Sequence, residues 1–236
     1  MSSGTNPKPR TGATSSKPSK PASPLTKLYL ILYNGLSFSL WATCTLHGLS
    51  LLANGTPLPM IFNQVYPLLL ITQSLALLEI LHSLVGLVRA PVATTAMQVA
   101  SRILLVWGIM YLFQGRIVGN VRTITATPQT GDYAFLGCLS AWGVTECIRY
   151  GFFVLQVSGV GVPAWWAWLR YNTFYVLYPL GISSECVMVV KALGPAAELS
   201  AAYWWFLVVV LGIYVPGSYI LYTHMIAQRR KALKKT

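Results

Sequence analysis

The stretch "LYPLGISSE" at 177–185 sets a phenol and a carboxylic acid seven positions apart in an otherwise apolar run, at Tyr178 and Glu185. Seven residues make nearly two helical turns, so both side chains share a face, separated by a rise of roughly 10 Å. Gly181 lies on the same stripe, three after Tyr178 and four before Glu185, and leaves a notch between them. Helical side chains lean toward the N-terminus, which tilts Glu185 toward Tyr178. A hydroxyl at one end of a notch and a carboxyl at the other are the parts of a general acid–base pair. Pro179 donates no hydrogen bond and crowds the carbonyl of Tyr175, so a kink is expected there. The same spacing also reads as a proline-kinked helix carrying a snorkelling glutamate.

The elements that must hold this pair are membrane helices. Of 236 residues 55% are hydrophobic and 9% are charged, against about 25% charged in soluble domains. A spanning helix needs about 20 mostly apolar residues. Six such runs are read at roughly 28–53, 67–88, 96–114, 133–157, 164–190 and 200–226. They are long and continuous rather than alternating, which favours helices over a β-barrel. The predicted fold is an all-α bundle of six transmembrane helices. Residues 1–24 form a disordered tail, 25–228 the membrane domain and 229–236 a basic tail. The loop at 115–132 reads as polar filler. The Ser-rich, acid-poor start also has the composition of an organelle transit peptide.

Lys and Arg number 17 and acids 5, a net charge of +12. Alone, that suggests nucleic acid; position argues for topology instead. Five basic residues precede Leu28 and five follow Gln228, so with Arg89 eleven fall on one side, against Arg116, Arg122 and Lys191 on the other. Positive charge concentrates in the cytosol, which places both termini there. No nucleic-acid partner is expected. The basic side also attracts anionic headgroups or an anionic substrate. The cysteines Cys44, Cys138, Cys147 and Cys186 all fall within spans without CxxC spacing, and read as small apolar core residues. No His, Cys, Asp or Glu set has metal-ligand spacing.

Ionisable residues at membrane depth are functional candidates. They are Glu79 with His82, Arg102, Glu146 with Arg149, Arg170 and Glu185. Glu146 and Arg149 are neighbours on one helix face, and a structural ion pair between spans is the plain reading for them and for Arg102. Glu79 and His82 read as a structural hydrogen bond. His47 and His224, near span ends, carry no assigned role.

The chain resembles the membrane 3-hydroxyacyl-CoA dehydratases of very-long-chain fatty acid elongation, once called protein tyrosine phosphatase-like proteins. The resemblance rests on "LEILHSLVGLVRAP" at 78–91, "QVASRILLVWGI" at 98–109, "TECIRYGFF" at 145–153, "WLRYNTFYVLYPLGISSE" at 168–185 and "YVPGS" at 214–218. Plant members look most alike; "ECIRY" where the family commonly reads "EIIRY" is a mild departure. The resemblance implies that the Tyr and Glu of YPxGxxxE, here Tyr178 and Glu185, are the catalytic pair. Arg102, Glu146, Arg149, Tyr150 and Gly181 become site-supporting candidates, with Arg170 and Tyr171 as further residues to line or buttress a tunnel.

The implied activity is dehydration of very-long-chain 3-hydroxyacyl-CoA to trans-2-enoyl-CoA, the third step of elongation, in the endoplasmic reticulum membrane. It calls for a base at C2 and an acid near the C3 oxygen. Glu185 is the expected base and Tyr178 the hydroxyl partner. The reverse assignment, or Glu185 doing both jobs, stays open. The reaction needs no metal, nicotinamide or prosthetic group, so no cofactor is expected. Expected partners are the acyl-CoA substrate, membrane lipid and other elongase subunits (condensing enzyme, ketoacyl reductase and enoyl reductase). The C-terminal "QRRKALKKT" loosely resembles a dilysine retrieval signal, displaced by one position.

Other readings remain. "HSLVGLVR" has the length of a tyrosine-phosphatase signature, but Ser83 stands where a low-pKa cysteine must be. A transporter predicts paired broken helices in both halves, and only the fifth span shows a Pro-Gly break. A catalytically silent elongase scaffold is the remaining alternative.

Overall fold

A computed structural model describes residues 23–88, 90–120 and 127–233. Helices dominate: α1 (Pro24–Ala53), α2 (Leu58–Leu75), α3 (Leu77–Leu84), α4 (Val92–Ile103), a π-helical segment (Leu104–Tyr111), α5 (Thr130–Ser158), α6 (Ala164–Asn172), α7 (Phe174–Leu199) and α8 (Ala201–Leu233). Among the described residues the β-type pairing is an isolated bridge between Gln114 and Val118.

Five stretches are long and apolar enough to cross a membrane: Pro24–Ala53, Leu58–Leu84, Val92–Tyr111, Phe174–Leu199 and Ala201–Ala232. The chain is a multi-pass membrane protein. Six spans were expected, and α5, the fourth of them, is the one outside this set. α5 is 29 residues long but carries Asp132, Glu146 and Arg149. Asp132 and Glu146 are buried in the bundle, as a polar group in a membrane bundle must be.

Several boundaries also change. The second span begins at Leu58, where Pro57 and Pro59 pre-set the first turn; Pro67, expected near its start, lies inside it. It is interrupted at Ala76 and ends at Leu84. The fifth span is interrupted at Thr173, while helix α7 runs on through Pro179. α8 continues to Leu233, so residues 229–233 of the expected basic tail are helical. The expectation for residues 1–22, within the predicted tail, lies outside the described residues. The described start of the 115–132 connection is more than polar filler: Ile117 and Val118 are buried. Asp132 accepts from Gly119 N at 2.7 Å and Gln129 N at 2.8 Å, which seats the connection on the start of α5 and caps that helix.

α5 is the central element, touching α1, α2, α6 and α7. Its glycines permit this. A Cβ on Gly143 would strike Thr45 of α1, and one on Gly137 would strike Ser184 of α7. Small residues of this kind let membrane helices close together without a water-driven hydrophobic force. Trp41, Phe62, Phe135, Leu139 and Met188 fill the apolar core around it. The bundle is not closed on all sides. The π-helical segment packs against α7, but α4 comes within 8 Å, Cα to Cα, of neither α7 nor α8. A cleft runs between them.

Candidate functional site

α7 and α8 form an antiparallel pair whose facing side chains define one wall of this cleft. Glu185 sits opposite Tyr214, whose hydroxyl donates to Glu185 Oε2 at 2.8 Å. Nearly two turns along, Tyr178 donates to the carbonyl of Ser218 at 3.1 Å and stacks on Tyr222 at 5.8 Å. On α8, positions 214, 218 and 222 recur every four residues, which keeps them on the face toward α7. From α5, Trp142 Nε1 donates to Glu185 Oε1 at 2.8 Å. Glu185 is 6% exposed, so two neutral donors hold both oxygens of a nearly buried carboxyl group.

Tyr178 and Glu185 do not hydrogen-bond to one another, yet both line a single cavity of about 290 Å³. Gly181 lies on its wall between them. An added Cβ would meet Ala141 Cβ at 3.4 Å, so the missing side chain serves both the notch and the α5–α7 contact. The opposite wall comes from α4, whose Thr95, Gln98, Ser101 and Arg102 line the same cavity. Those positions share a helical face, giving the cleft one polar side.

Behind the cavity lies an ion network. Glu146, 3% exposed, is bonded to Arg102 and accepts from Arg149 Nε at 2.6 Å. Arg149 also grips Glu79 with both terminal nitrogens, at 2.9 and 2.6 Å, and the Tyr150 hydroxyl donates to Glu79. Two carboxylates therefore balance two guanidiniums, the condition under which charges are tolerated in a low-dielectric interior. Arg102 also lies 5.5 Å from the Trp142 ring centroid. Trp142 thus touches both the network and Glu185.

All five supporting residues gather around this site. Arg102, Glu146, Arg149 and Gly181 line the cavity, whereas Tyr150 is buried behind it at 2% exposure. Arg170 lies apart, over the rings of Phe152 and Phe153 at 4.3 and 4.7 Å. Glu79 and His82 do not pair; His82 Nε2 meets the Tyr29 hydroxyl at 2.7 Å. Sequence reasoning did not find Trp142 and Tyr214. Trp142 precedes Glu146 by one turn on α5, and Tyr214 opens the "YVPGS" stretch, which were the available signals. Among the described residues, no group of three or more His, Cys, Asp or Glu side chains is placed to hold a metal ion.

Among its described residues, 82–88, the phosphatase-like segment does not open a helix. His82 and Ser83 close helix α3, and the Ser83 hydroxyl donates to Ala90 O at 2.6 Å. Anion-binding loops of that kind open a helix and present free N–H groups.

Fold and site together define a multi-pass helical membrane protein with ionisable side chains gathered around one internal cleft. Comparison with known proteins narrows this. The family described as "protein tyrosine phosphatase-like protein, PTPLA" matches residues 73–235. A probable very-long-chain (3R)-3-hydroxyacyl-CoA dehydratase of Schizosaccharomyces pombe is 39% identical over 212 residues, 88% of this chain and 93% of that one. A very-long-chain (3R)-3-hydroxyacyl-CoA dehydratase of Caenorhabditis elegans is 38% identical over 218 residues, 87% and 94% of the two chains. The rice dehydratase PASTICCINO 2A is 39% identical over 229 residues, covering 90% and 96%. No solved structure matches. The chain belongs to the protein tyrosine phosphatase-like (PTPLA) family.

Proposed function

We propose that this protein dehydrates very-long-chain 3-hydroxyacyl-CoA to trans-2-enoyl-CoA. The carrying observation is that Tyr178 and Glu185 both line one cavity between membrane helices, in a chain whose relatives are named for this reaction. The thioester acidifies C2, and hydroxide is a poor leaving group from C3, so both ends need proton management. Glu185 takes the C2 proton, and Tyr178 orients and protonates the departing hydroxyl. The proton on Glu185 then passes to Tyr178, leaving water as the second product and the pair restored. Trp142 and Tyr214 hold the carboxylate in its pose, while the Glu79–Arg149–Glu146–Arg102 network fixes the face of α5 behind it.

The long acyl chain lies in the cleft, since each methylene gains about 0.8 kcal/mol on leaving water. The CoA head stays in the cytosol near the basic ends of the chain. In this reading α5 is the sixth span, both termini are cytosolic, the membrane is that of the endoplasmic reticulum, and the other elongase subunits are neighbours. The test is turnover of purified 3-hydroxyacyl-CoA of several chain lengths, read as the trans-2-enoyl product. Glu185→Gln and Tyr178→Phe are each expected to lower turnover at least a hundredfold while the protein still inserts. Near-normal conversion by either variant removes that residue from its role.

A further inference from the structure

Gln73 of α2 is 1% exposed and borders the same cavity as Glu185 and Tyr178. Among the described residues, its amide Nε2 and Oε1 are the buried side-chain polar atoms that lack a hydrogen-bond partner. Burying an amide without partners costs roughly 1–3 kcal/mol in proteins. A leucine or methionine would fill the same volume without that cost. An unpaired amide in a residue that borders a cavity therefore points to a partner that arrives with the ligand.

Its position along the bundle fits one part of the reaction. α2 and α3 run parallel to α5: Phe62 meets Phe135 at 4.8 Å between ring centroids, and Glu79 binds Arg149 and Tyr150. Gln73 falls between these fixed points, opposite the stretch of α5 from Trp142 to Glu146. That is the level at which Trp142 holds Glu185. Several other donors near that level are committed: Trp142 and Tyr214 donate to Glu185, and Arg102 Nη1 to Glu146.

Loss of the C2 proton drives an electron pair into the C1–O bond of the thioester. The resulting oxyanion needs a donor that is already in place and already free of water. We propose that Gln73 is a catalytic residue whose Nε2–H donates to the thioester carbonyl and stabilises this enolate. The inference rests on the dehydratase reading. When the enolate collapses, the C2–C3 double bond forms, the C3–O bond breaks, and the carbonyl returns to its neutral state with the Gln73 bond weakened.

The experiment uses the full chain, reconstituted in vesicles. Gln73→Leu removes the donor at nearly constant volume; Gln73→Met repeats the test with an unbranched side chain. Removing one oxyanion donor costs about 10²–10³ in kcat. A fall of that size is expected, with KM within about threefold and a melting temperature no lower than that of the unaltered protein. A second readout isolates the enolate. Exchange of C2 hydrogen into heavy water is followed on a saturated acyl-CoA, which has no 3-hydroxyl to lose. The unaltered protein is expected to catalyse this exchange, and the Gln73 variants to slow it by a similar factor.

A kcat within threefold of normal overturns the proposal and leaves the dehydratase reading standing. So does slowed dehydration with normal C2 exchange, because the amide would then act elsewhere. An activity loss that tracks a lowered melting temperature in both variants assigns Gln73 to packing and also overturns it. No turnover by the unaltered protein at any chain length removes the dehydratase reading and this inference together.

Discussion

Trp142→Phe is the substitution that isolates what holds the buried carboxylate. The change deletes one N–H from Glu185 Oε1, at 2.8 Å, and keeps an aromatic ring beneath Arg102. Tyr214 continues to donate to Oε2, so the carboxyl group gains a rotation that the pair of donors forbids. Hydrogen bonds to charged groups contribute about 1.5–3 kcal/mol. With Glu185 only 6% exposed, water does not replace the lost donor. If that energy serves to hold the reactive pose, kcat falls about 10- to 150-fold, at 1.36 kcal/mol per decade. KM changes little, because substrate binding does not use this bond. The assay is steady-state formation of enoyl product by purified protein, with a thermal melt to confirm folding. Tyr214→Phe is expected to behave alike, and the double variant to lose less than the product of the single losses, since both donors act on one group. A kcat within twofold of normal for Trp142→Phe, in a protein with an unchanged melt, refutes the positioning argument.

Two further outcomes follow from the geometry. Glu146→Gln leaves Arg102 and Arg149 with Glu79 as the remaining carboxylate of the network; breaking a buried pair costs about 3–5 kcal/mol, so at roughly 2–4 °C per kcal/mol for a chain of this size the melting temperature drops by about 6–20 °C, measured in detergent. Gly181→Val places a Cβ 3.4 Å from Ala141 Cβ and its methyls in the notch. KM for the acyl-CoA is expected to rise at least tenfold at a stability cost of about 1–3 kcal/mol, and an unchanged KM would show that substrate does not pass between Tyr178 and Glu185.

The paired phenol and carboxyl were legible because one helix carries both, and helical periodicity alone puts them on a shared face. The ion network was legible in part, because opposite charges at membrane depth must find each other. Its connection to Glu185 was not. Trp142 and Tyr214 are aromatic residues in apolar helices, where packing or interfacial anchoring is the ordinary expectation. Only the meeting of α5, α7 and α8 turns their polar atoms inward. Gln73 was silent for the same reason, being one amide among many apolar neighbours. The π-helical turn over "LLVWGIMY" has Gly108 as the one break in an apolar run, and a lone glycine does not specify a π-helix. What accompanies it is tertiary: the hydroxyls of Tyr66 and Tyr203 donate to its carbonyls at Val106 and Gly108, at 2.9 and 2.6 Å. The second span was read from 67 onward, whereas α2 starts at Leu58 and carries Pro67 inside it; a proline inside a membrane helix is tolerated when neighbours satisfy the freed backbone.

The separation of α4 from α7 and α8 has a kinetic corollary. On the proposed reading, a bundle left ajar on one flank meets its hydrophobic substrate sideways, as it diffuses within the plane of the leaflet. Encounter then depends on how many substrate molecules share each patch of bilayer, not on how many are dissolved per litre. Adding empty vesicles would thin that population and slow the reaction, although the amount of substrate in the tube stays the same.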